Sequence, residues 1–250
     1  MVLHEVDNEF TIDCLLLAGR IMIESGAETY RVEDTMLRMA HSQNMLDAQC
    51  YATPTGIIFS LGKTQPTRIT SISNRVTDLQ KIALVNSVSR RLTSHMITLE
   101  QAYDELKSIQ KTNYFLPTYI QVIAAALASG CFLIMFKGGW SDFLFACLAG
   151  GLGFLVLLLI NDLTKVKFFS EFTASLVVGS IAVFTVKYGH GTEIDKIVIS
   201  SVMPLVPGIL ITNAVRDLIA GHFMSGMAKG VEAFLTAFAI GAAIAVTLSF

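Results

Sequence analysis

Residues 143–161 read FLFACLAGGLGFLVLLLIN, an uncharged apolar run with Asp142 immediately before it and Asp162 immediately after. A helix rises about 1.5 Å per residue, so roughly 20 apolar residues cross about 30 Å of hydrocarbon. A helix in a water-soluble bundle would keep a polar face, and this run has none. Working outward, similar runs cover 117–136, 172–188, 197–220 and 230–250. The links between runs, at 137–142, 162–171, 189–196 and 221–229, are short. Consecutive helices are therefore expected to be antiparallel neighbours in a bilayer.

Composition agrees. The chain of 250 residues is 53% hydrophobic and 15% charged, whereas a soluble domain is about a quarter charged. Of 18 Lys and Arg, 11 precede Pro117, and so do 13 of the 20 acids. The charges thus gather in the first half. A net charge of −2 supplies no attraction for nucleic acid. Cys14, Cys50, Cys131 and Cys147 lack CxxC or His/Cys spacing and read as unpaired thiols. No metal or cofactor is expected. HExxH, GxSxG, glycine-rich phosphate loops and GKS/T are absent, and the five histidines are scattered. The chain reads as a non-enzyme, and not as an ATP-driven pump on its own. Met1 to Phe10 is polar and acidic with no signal-peptide pattern, which predicts a cytosolic N-terminal domain.

The fold class expected is membrane α-helical: a small cytosolic α+β domain, 1–112, followed by a transmembrane domain, 113–250, of about five spans. Within the first domain, Ile12, Leu15, Leu16, Gly19, Met22 and Ile23 share one face of a helix over 9–24, which Ser25-Gly26 interrupts. Ser25 with Glu28, Thr77 with Gln80, and Thr98 with Gln101 fit capping boxes for helices ending near Asn44, Ser94 and Lys111. The second helix buries Val32, Met36 and Met39, and Asp34 pairs with Arg38 across one turn. Residues 48–61 and 67–73 read as a strand pair, with Gly62 to Pro66 as the turn. In the spans, small residues recur four apart at Ala124/Ala128, Ala149/Gly153 and Ala237/Gly241/Ala245, a spacing that permits close helix approach.

Orientation rests on the lysines and arginines. With the N-terminus inside, the 162–171 and 221–229 links are cytosolic and carry Lys165, Lys167 and Lys229, with Arg216 nearby. Lys137, Lys187 and Lys196 then lie outside, and Lys107 and Lys111 beside the first span decide the balance.

The fourth span is the unusual one. Pro204, Pro207 and Gly208 interrupt it, and Thr212, Asn213, Arg216 and Asp217 follow. Two prolines remove two donors and clash with the preceding turn. A break at membrane depth is tolerated only against protein or a water-filled cavity, and transporters place small polar substrates at such breaks. An arginine in hydrocarbon costs about 2.5–3.5 kcal/mol on insertion scales, which favours a paired or substrate-facing role. The alternative is a kinked structural helix whose Arg216–Asp217 end reaches the interface. Asn161, Asp162 and Glu171 are further polar groups at span ends. The segment from Gly26 to Thr35 is dense in charge. It reads either as a solvated helix face or as a gate in which Glu28, Arg31 and Glu33 dock on the cytosolic mouth.

Gly26–Thr35 and the run Pro204-Leu205-Val206-Pro207-Gly208 … Thr212-Asn213-Ala214-Val215-Arg216-Asp217-Leu218 … Gly221-His222 … Ser225-Gly226 … Gly230 resemble the threonine/serine exporter family, in its N-terminal-half form. The resemblance covers essentially the whole chain. It implies a secondary exporter whose other half is a second, smaller membrane subunit. Fused members are associated with threonine and serine, and split ones with succinate. Five spans being odd, an equivalent second half would be inverted, as in many transporters built from repeats. The expectation is thus a plasma-membrane exporter subunit for small carboxylate-bearing metabolites, driven by an ion or proton gradient. Arg216 would bind the substrate carboxylate, Thr212 and Asn213 would hydrogen-bond it, and Asp217 would carry a proton or cation. Pro204, Pro207 and Gly208 would form the hinge. Assembly into an oligomer stays open. The competing reading is a membrane-anchored sensor or scaffold whose N-terminal domain binds a cytosolic ligand.

Overall fold

A computed structural model describes the backbone of residues 2–62 and 66–249, and the side chains from residue 8 onward within those ranges. Contacts divide the chain into two compact units, Met1–Phe115 with Ile209–Gly230, and Leu116–Gly208 with Val231–Phe250. The first unit therefore recruits a stretch that the sequence reading placed wholly in the transmembrane domain.

In the first unit, α1 (Val2–Glu24) is covered by α2 (Thr29–Ser42), α3 (Leu79–Thr93) and α4 (Leu99–Lys111). Leu15, Ala18, Met22, Val32, Met36, Met39, Val85, Leu92 and Leu106 form its core. Cys14 is buried among them, and burial pushes its thiol up to about 12. The Cys50 thiol stands at about 12 as well, raised by burial and then by the charge of Glu33. All four cysteines are unpaired. The Thr98–Gln101 capping box forms, with both reciprocal hydrogen bonds, and Asp34 pairs with Arg38. The other two boxes do not form. Asp78, not Thr77, accepts from the Lys81 N–H ahead of α3, because one residue further on the carboxylate reaches the free donor. Glu28, not Ser25, stands at the cap position of α2 and makes no cap bond with its own side chain.

The sheet has three strands rather than two, β1 (Ala48–Thr53), β2 (Gly56–Leu61) and β3 (Arg68–Ser71), antiparallel in the order 1-2-3. Thr53 pairs with Gly56, so Pro54-Thr55 is a two-residue turn inside what had read as a single extended stretch. Proline can donate nothing to a ladder, and a turn is where that costs least. Thr53 Oγ1 closes the turn, accepting from Gly56 N–H at 3.1 Å and donating to its carbonyl at 3.0 Å. Of the expected Gly62–Pro66 turn, residues 63–65 lie outside the described residues.

The second unit contains α5 (Thr118–Met135), α6 (Trp140–Thr164), α7 (Lys167–Lys187), α8 (Ile194–Val202), a 3-10 turn (Met203–Leu205), and all but the beginning of α10 (Phe223–Leu248). Its pattern is inverted relative to a soluble domain. Leu144, Leu148, Leu152, Leu159, Phe184, Phe234 and Phe238 point outward, while Ser129, Ser170, Ser175, Ser200, Ser201 and Thr236 are buried. Small residues make the contacts. A methyl group on Gly150 would fall 1.9 Å from Ser129 Oγ, and one on Gly153 would fall 2.4 Å from a Val178 methyl. Close backbone approach of this kind is how helices associate where water does not drive them together. Of the three expected small-residue spacings, only Ala149/Gly153 lies in an interface. Ala124, Ala237, Gly241 and Ala245 are exposed, because the buried faces of α5 and α10 pass through Ala125, Ser129 and Leu133, and through Thr236, Ile240, Ala243 and Thr247.

Asp142, fully buried at the start of α6, stabilises the entry to α8. Its carboxylate accepts from Thr192 N–H (2.9 Å), Thr192 Oγ1 (2.7 Å) and Glu193 N–H (3.0 Å). These donors have no partner within the helix that follows.

Among the described residues, four helices, α5, α6, α7 and α10, are long and apolar enough to cross a membrane. The register between α7 and α10 decides whether a fifth crossing exists. Lys167 meets Glu232, Glu171 faces Thr236, and a methyl group on Gly179 would meet Thr247. The paired numbers rise together, so the two helices run parallel. The chain between them must return to the level at which α7 began. α8 with its 3-10 turn and α9 (Gly208–Ile219) form a pair bent by 63° that together is long and apolar enough for a broken span or a re-entrant loop. The helical path is lost at Val206, whose backbone is extended (φ −64°, ψ 130°), between the turn containing Pro204 and the α9 entry at Pro207-Gly208.

Candidate functional site

The candidate residues after the break occupy two ridges of α9. Asn213 and Asp217, four apart, are buried, and Thr212 and Arg216, also four apart, are exposed. Helical periodicity puts residues four apart on one ridge, so the four side chains do not converge on a single point.

The buried ridge ties α9 to the turn between α1 and α2. Gly26 turns the chain there with φ +83°, a conformation that glycine adopts without a side-chain clash. Its carbonyl is thereby left to accept from Asn213 Nδ2 at 2.8 Å. Asp217 takes the position that a capping side chain would fill. Oδ1 accepts from Thr29 N–H (2.9 Å), and Oδ2 accepts from Thr29 Oγ1 (2.9 Å). The cap of α2 thus comes from 188 residues away. Lys229, on α10, completes the arrangement. Its ammonium donates to Asp217 Oδ2 (2.8 Å), to the Ala27 carbonyl (3.0 Å) and to Thr29 Oγ1 (3.4 Å), and the residue is only 6% exposed. A lysine so deeply buried is tolerated because every contact it makes is to an acceptor.

The exposed ridge carries the accessible charge. Arg216 donates through one guanidinium nitrogen to Glu28 Oε1 at 2.6 Å, and its side chain remains 59% exposed. Glu28 is buried, and Arg31 Nε lies 3.4 Å from its Oε2. Burial pushes the Glu28 carboxyl up. A hydrogen bond from its own backbone, the bond from Arg216 and the charges of Arg31 and Arg216 outweigh that, and hold it below the usual glutamate value. Thr212 Oγ1 donates to the Ile209 carbonyl at 3.0 Å. Arg216 and Arg31 therefore share one carboxylate, and the guanidinium has further N–H donors directed elsewhere.

Glu33 is held differently. Its Oε1 accepts from Ala52 N–H of β1 at 2.8 Å and lies 3.7 Å from His222 Nδ1. Ser225 Oγ donates to the Ala52 carbonyl at 3.5 Å. Glu28 and Glu33 thus face the 209–230 stretch, whereas Arg31, among the described residues, is linked to it through Glu28.

Lys229, Thr29 and His222 are the members that sequence reasoning did not assign to the site. Lys229 had served only as an interfacial charge. Its position between Ala228 and Gly230, at the head of an apolar run, was the available signal.

Comparison with known proteins gives a consistent result. A family model described as "putative threonine/serine exporter" matches residues 13–250. A protein of Mycobacterium tuberculosis named "probable threonine/serine exporter" is 22% identical over 231 residues, covering 90% of this chain and 44% of that protein. The chain thus spans under half of that relative. A Klebsiella aerogenes protein named "probable succinate transporter subunit YjjP" is 22% identical, with 91% of this chain and 89% of the relative covered. The Escherichia coli K12 protein of the same name is 20% identical, with 92% and 91% covered. No solved structure matches.

Proposed function

We propose a function that proceeds from one fact: this chain belongs to the threonine/serine exporter family. It acts as one subunit of a secondary transporter that exports small carboxylate-bearing metabolites, either threonine/serine-type amino acids or a dicarboxylate such as succinate. Relatives of similar length carry the name of a transporter subunit, which supports a second, smaller membrane subunit as the partner. The plasma membrane is the site of action, with the N-terminal domain in the cytoplasm and an ion or proton gradient as the driving force. The chemistry asked of the chain is binding and gating rather than catalysis.

Arg216 carries the reading. It stands directly after the broken helix, is more than half exposed, and is neutralised by a carboxylate that the protein itself provides. A substrate carboxylate offers the same charge and the same fork of oxygens as Glu28, and a guanidinium binds such a group in a bidentate manner. Substrate would therefore compete with Glu28 for Arg216, with Arg31 as a second cation and Thr212, on the same exposed ridge, as a hydrogen-bonding neighbour. Losing its tie to Arg216 would loosen the start of α2, which makes Glu28 and Arg31 the gate. Glu33 steadies it by tying α2 to β1 through the Ala52 N–H. Asn213, Asp217 and Lys229 hold the ridge in place, and Pro204, Pro207 and Gly208 are the hinge. A sensor or scaffold would need one or two spans and no break, and the parallel register of α7 and α10 argues for more.

Arg216→Gln tests this. Efflux from vesicles loaded with labelled threonine, serine or succinate, and containing both subunits, should be lost. Unchanged efflux at normal incorporation removes Arg216 from the mechanism.

A further inference from the structure

Glu171 lies one turn inside the start of α7 and has no part in the network around Arg216. The residue is 6% exposed, and its Oε2 has no hydrogen-bond partner among the described residues. Two hydroxyls near it share that condition. Ser175, one turn further along α7, and Thr236, opposite on α10, are both fully buried; among the described residues neither hydroxyl meets full hydrogen-bond geometry with a partner, although the Thr236 hydroxyl is near enough to act on the Glu171 carboxyl. The charged groups acting on Glu171 are Lys167 of its own helix and Glu232 of α10. Those two are paired with each other at 2.9 Å. The other buried carboxylate of this unit, Asp142, has both oxygens occupied by N–H and O–H donors. Glu171 differs in having a buried oxygen with none.

An ionised carboxylate with one buried oxygen left unpaired keeps its negative charge in surroundings that disfavour it. Buried polar groups left unpaired in native proteins call for an explanation. A proton supplies one. Bound to Oε2, it converts an acceptor into a donor, and the hydroxyl oxygen of Thr236, which acts on this carboxyl, can receive the new O–H. Nothing else is consumed: the carboxylate takes up one proton and returns it.

We infer that Glu171, Ser175 and Thr236 form a proton-binding site within the membrane unit, and that its loading and release drive transport. This rests on the transporter reading above, and it assigns the proton to Glu171 rather than to Asp217, whose oxygens are taken by Thr29 and Lys229.

The test begins with the full chain in lipid nanodiscs, followed by infrared spectroscopy through a pH titration. The wild type should develop a protonated-carboxyl band that Glu171→Gln lacks, and Thr236→Val, which keeps the carboxyl, should shift that band. Superimposable titrations of wild type and Glu171→Gln overturn the site. Loss of the band on adding sodium at fixed pH also overturns it, since the ligand would then be a metal cation. Efflux measured with the partner subunit should depend on pH in the wild type and not in Glu171→Gln. An identical pH dependence in both removes the coupling role. If the wild type exports nothing, the transporter reading fails, while the infrared result still decides proton binding.

Discussion

Replacing Asp217 with Asn should release the start of α2, and the size of the effect follows from what the carboxylate holds. Asp217 is fully buried and accepts from three donors in a small volume: one backbone N–H, one hydroxyl and one ammonium, all at 2.8–2.9 Å, on its two oxygens. An amide keeps one accepting oxygen and presents an NH₂ where Oδ2 had accepted. Lys229, 8% exposed at its side chain, would then be a buried cation without a counter-charge. Breaking a buried pair from one side costs about 3–5 kcal/mol. At about 1.4 kcal/mol per decade, opening of the α1–α2 turn should become roughly 10²–10⁴-fold more frequent. Lys229→Met should cost less, because Asp217 would keep both bonds from Thr29. The double variant Asp217→Asn/Lys229→Met should recover part of the loss, since neither charge is stranded. Hydrogen exchange of the full chain in detergent, followed on peptides across 27–42, measures the opening. Wild-type exchange in Asp217→Asn, or a double variant worse than the sum of the singles, would refute the reasoning.

Three other outcomes are expected. The Glu28 carboxyl is held below its usual value, so its contribution is fully present above the ordinary glutamate range and is lost as pH falls through the lowered value. Exchange in 27–42 should therefore quicken on acidification in the wild type, and Glu28→Gln should flatten that response. Gly150→Ala places a methyl group 1.9 Å from Ser129 Oγ and should lower stability by about 1–3 kcal/mol. Gly241→Ala, with nothing within 4 Å, should leave the thermal midpoint in detergent unchanged. Thr98→Ala removes a capping box and should destabilise the first unit by about 1 kcal/mol in denaturant titration.

Much of the architecture was legible because the bilayer leaves few options. An uncharged run such as 143–161 has to be a helix in lipid, and its bounds came close to α6. The helices of the first unit were readable from periodicity and from Ser25-Gly26, whose consequence is local. The third strand is not readable, because the β-branched and aromatic residues on both sides of Pro54 continue one extended pattern and the turn bond from Thr53 depends on register. Caps were misjudged by one residue at α3. At α2 the capping group is Asp217, which no local pattern could reveal. The site was legible as a list of residues but not as an arrangement. Thr212, Asn213, Arg216 and Asp217 stood out by their chemistry in an apolar stretch. Their division into a buried and an exposed ridge depends on the turn at Gly26, far away in sequence. Lys229 shows the same limit, since its meaning appears only when Asp217, Ala27 and Thr29 surround it. The outward faces of α5 and α10 were equally hidden, because small residues occur on both sides of a membrane helix.

The proposed export of carboxylate-bearing metabolites by this chain together with a second membrane subunit is open to direct measurement. Release of labelled threonine, serine and succinate from vesicles holding this chain alone, the partner alone, or both together measures it directly. Release of at least one of them is expected only when both are present. Equal release from all three preparations, or none from vesicles with verified incorporation of both, would contradict it.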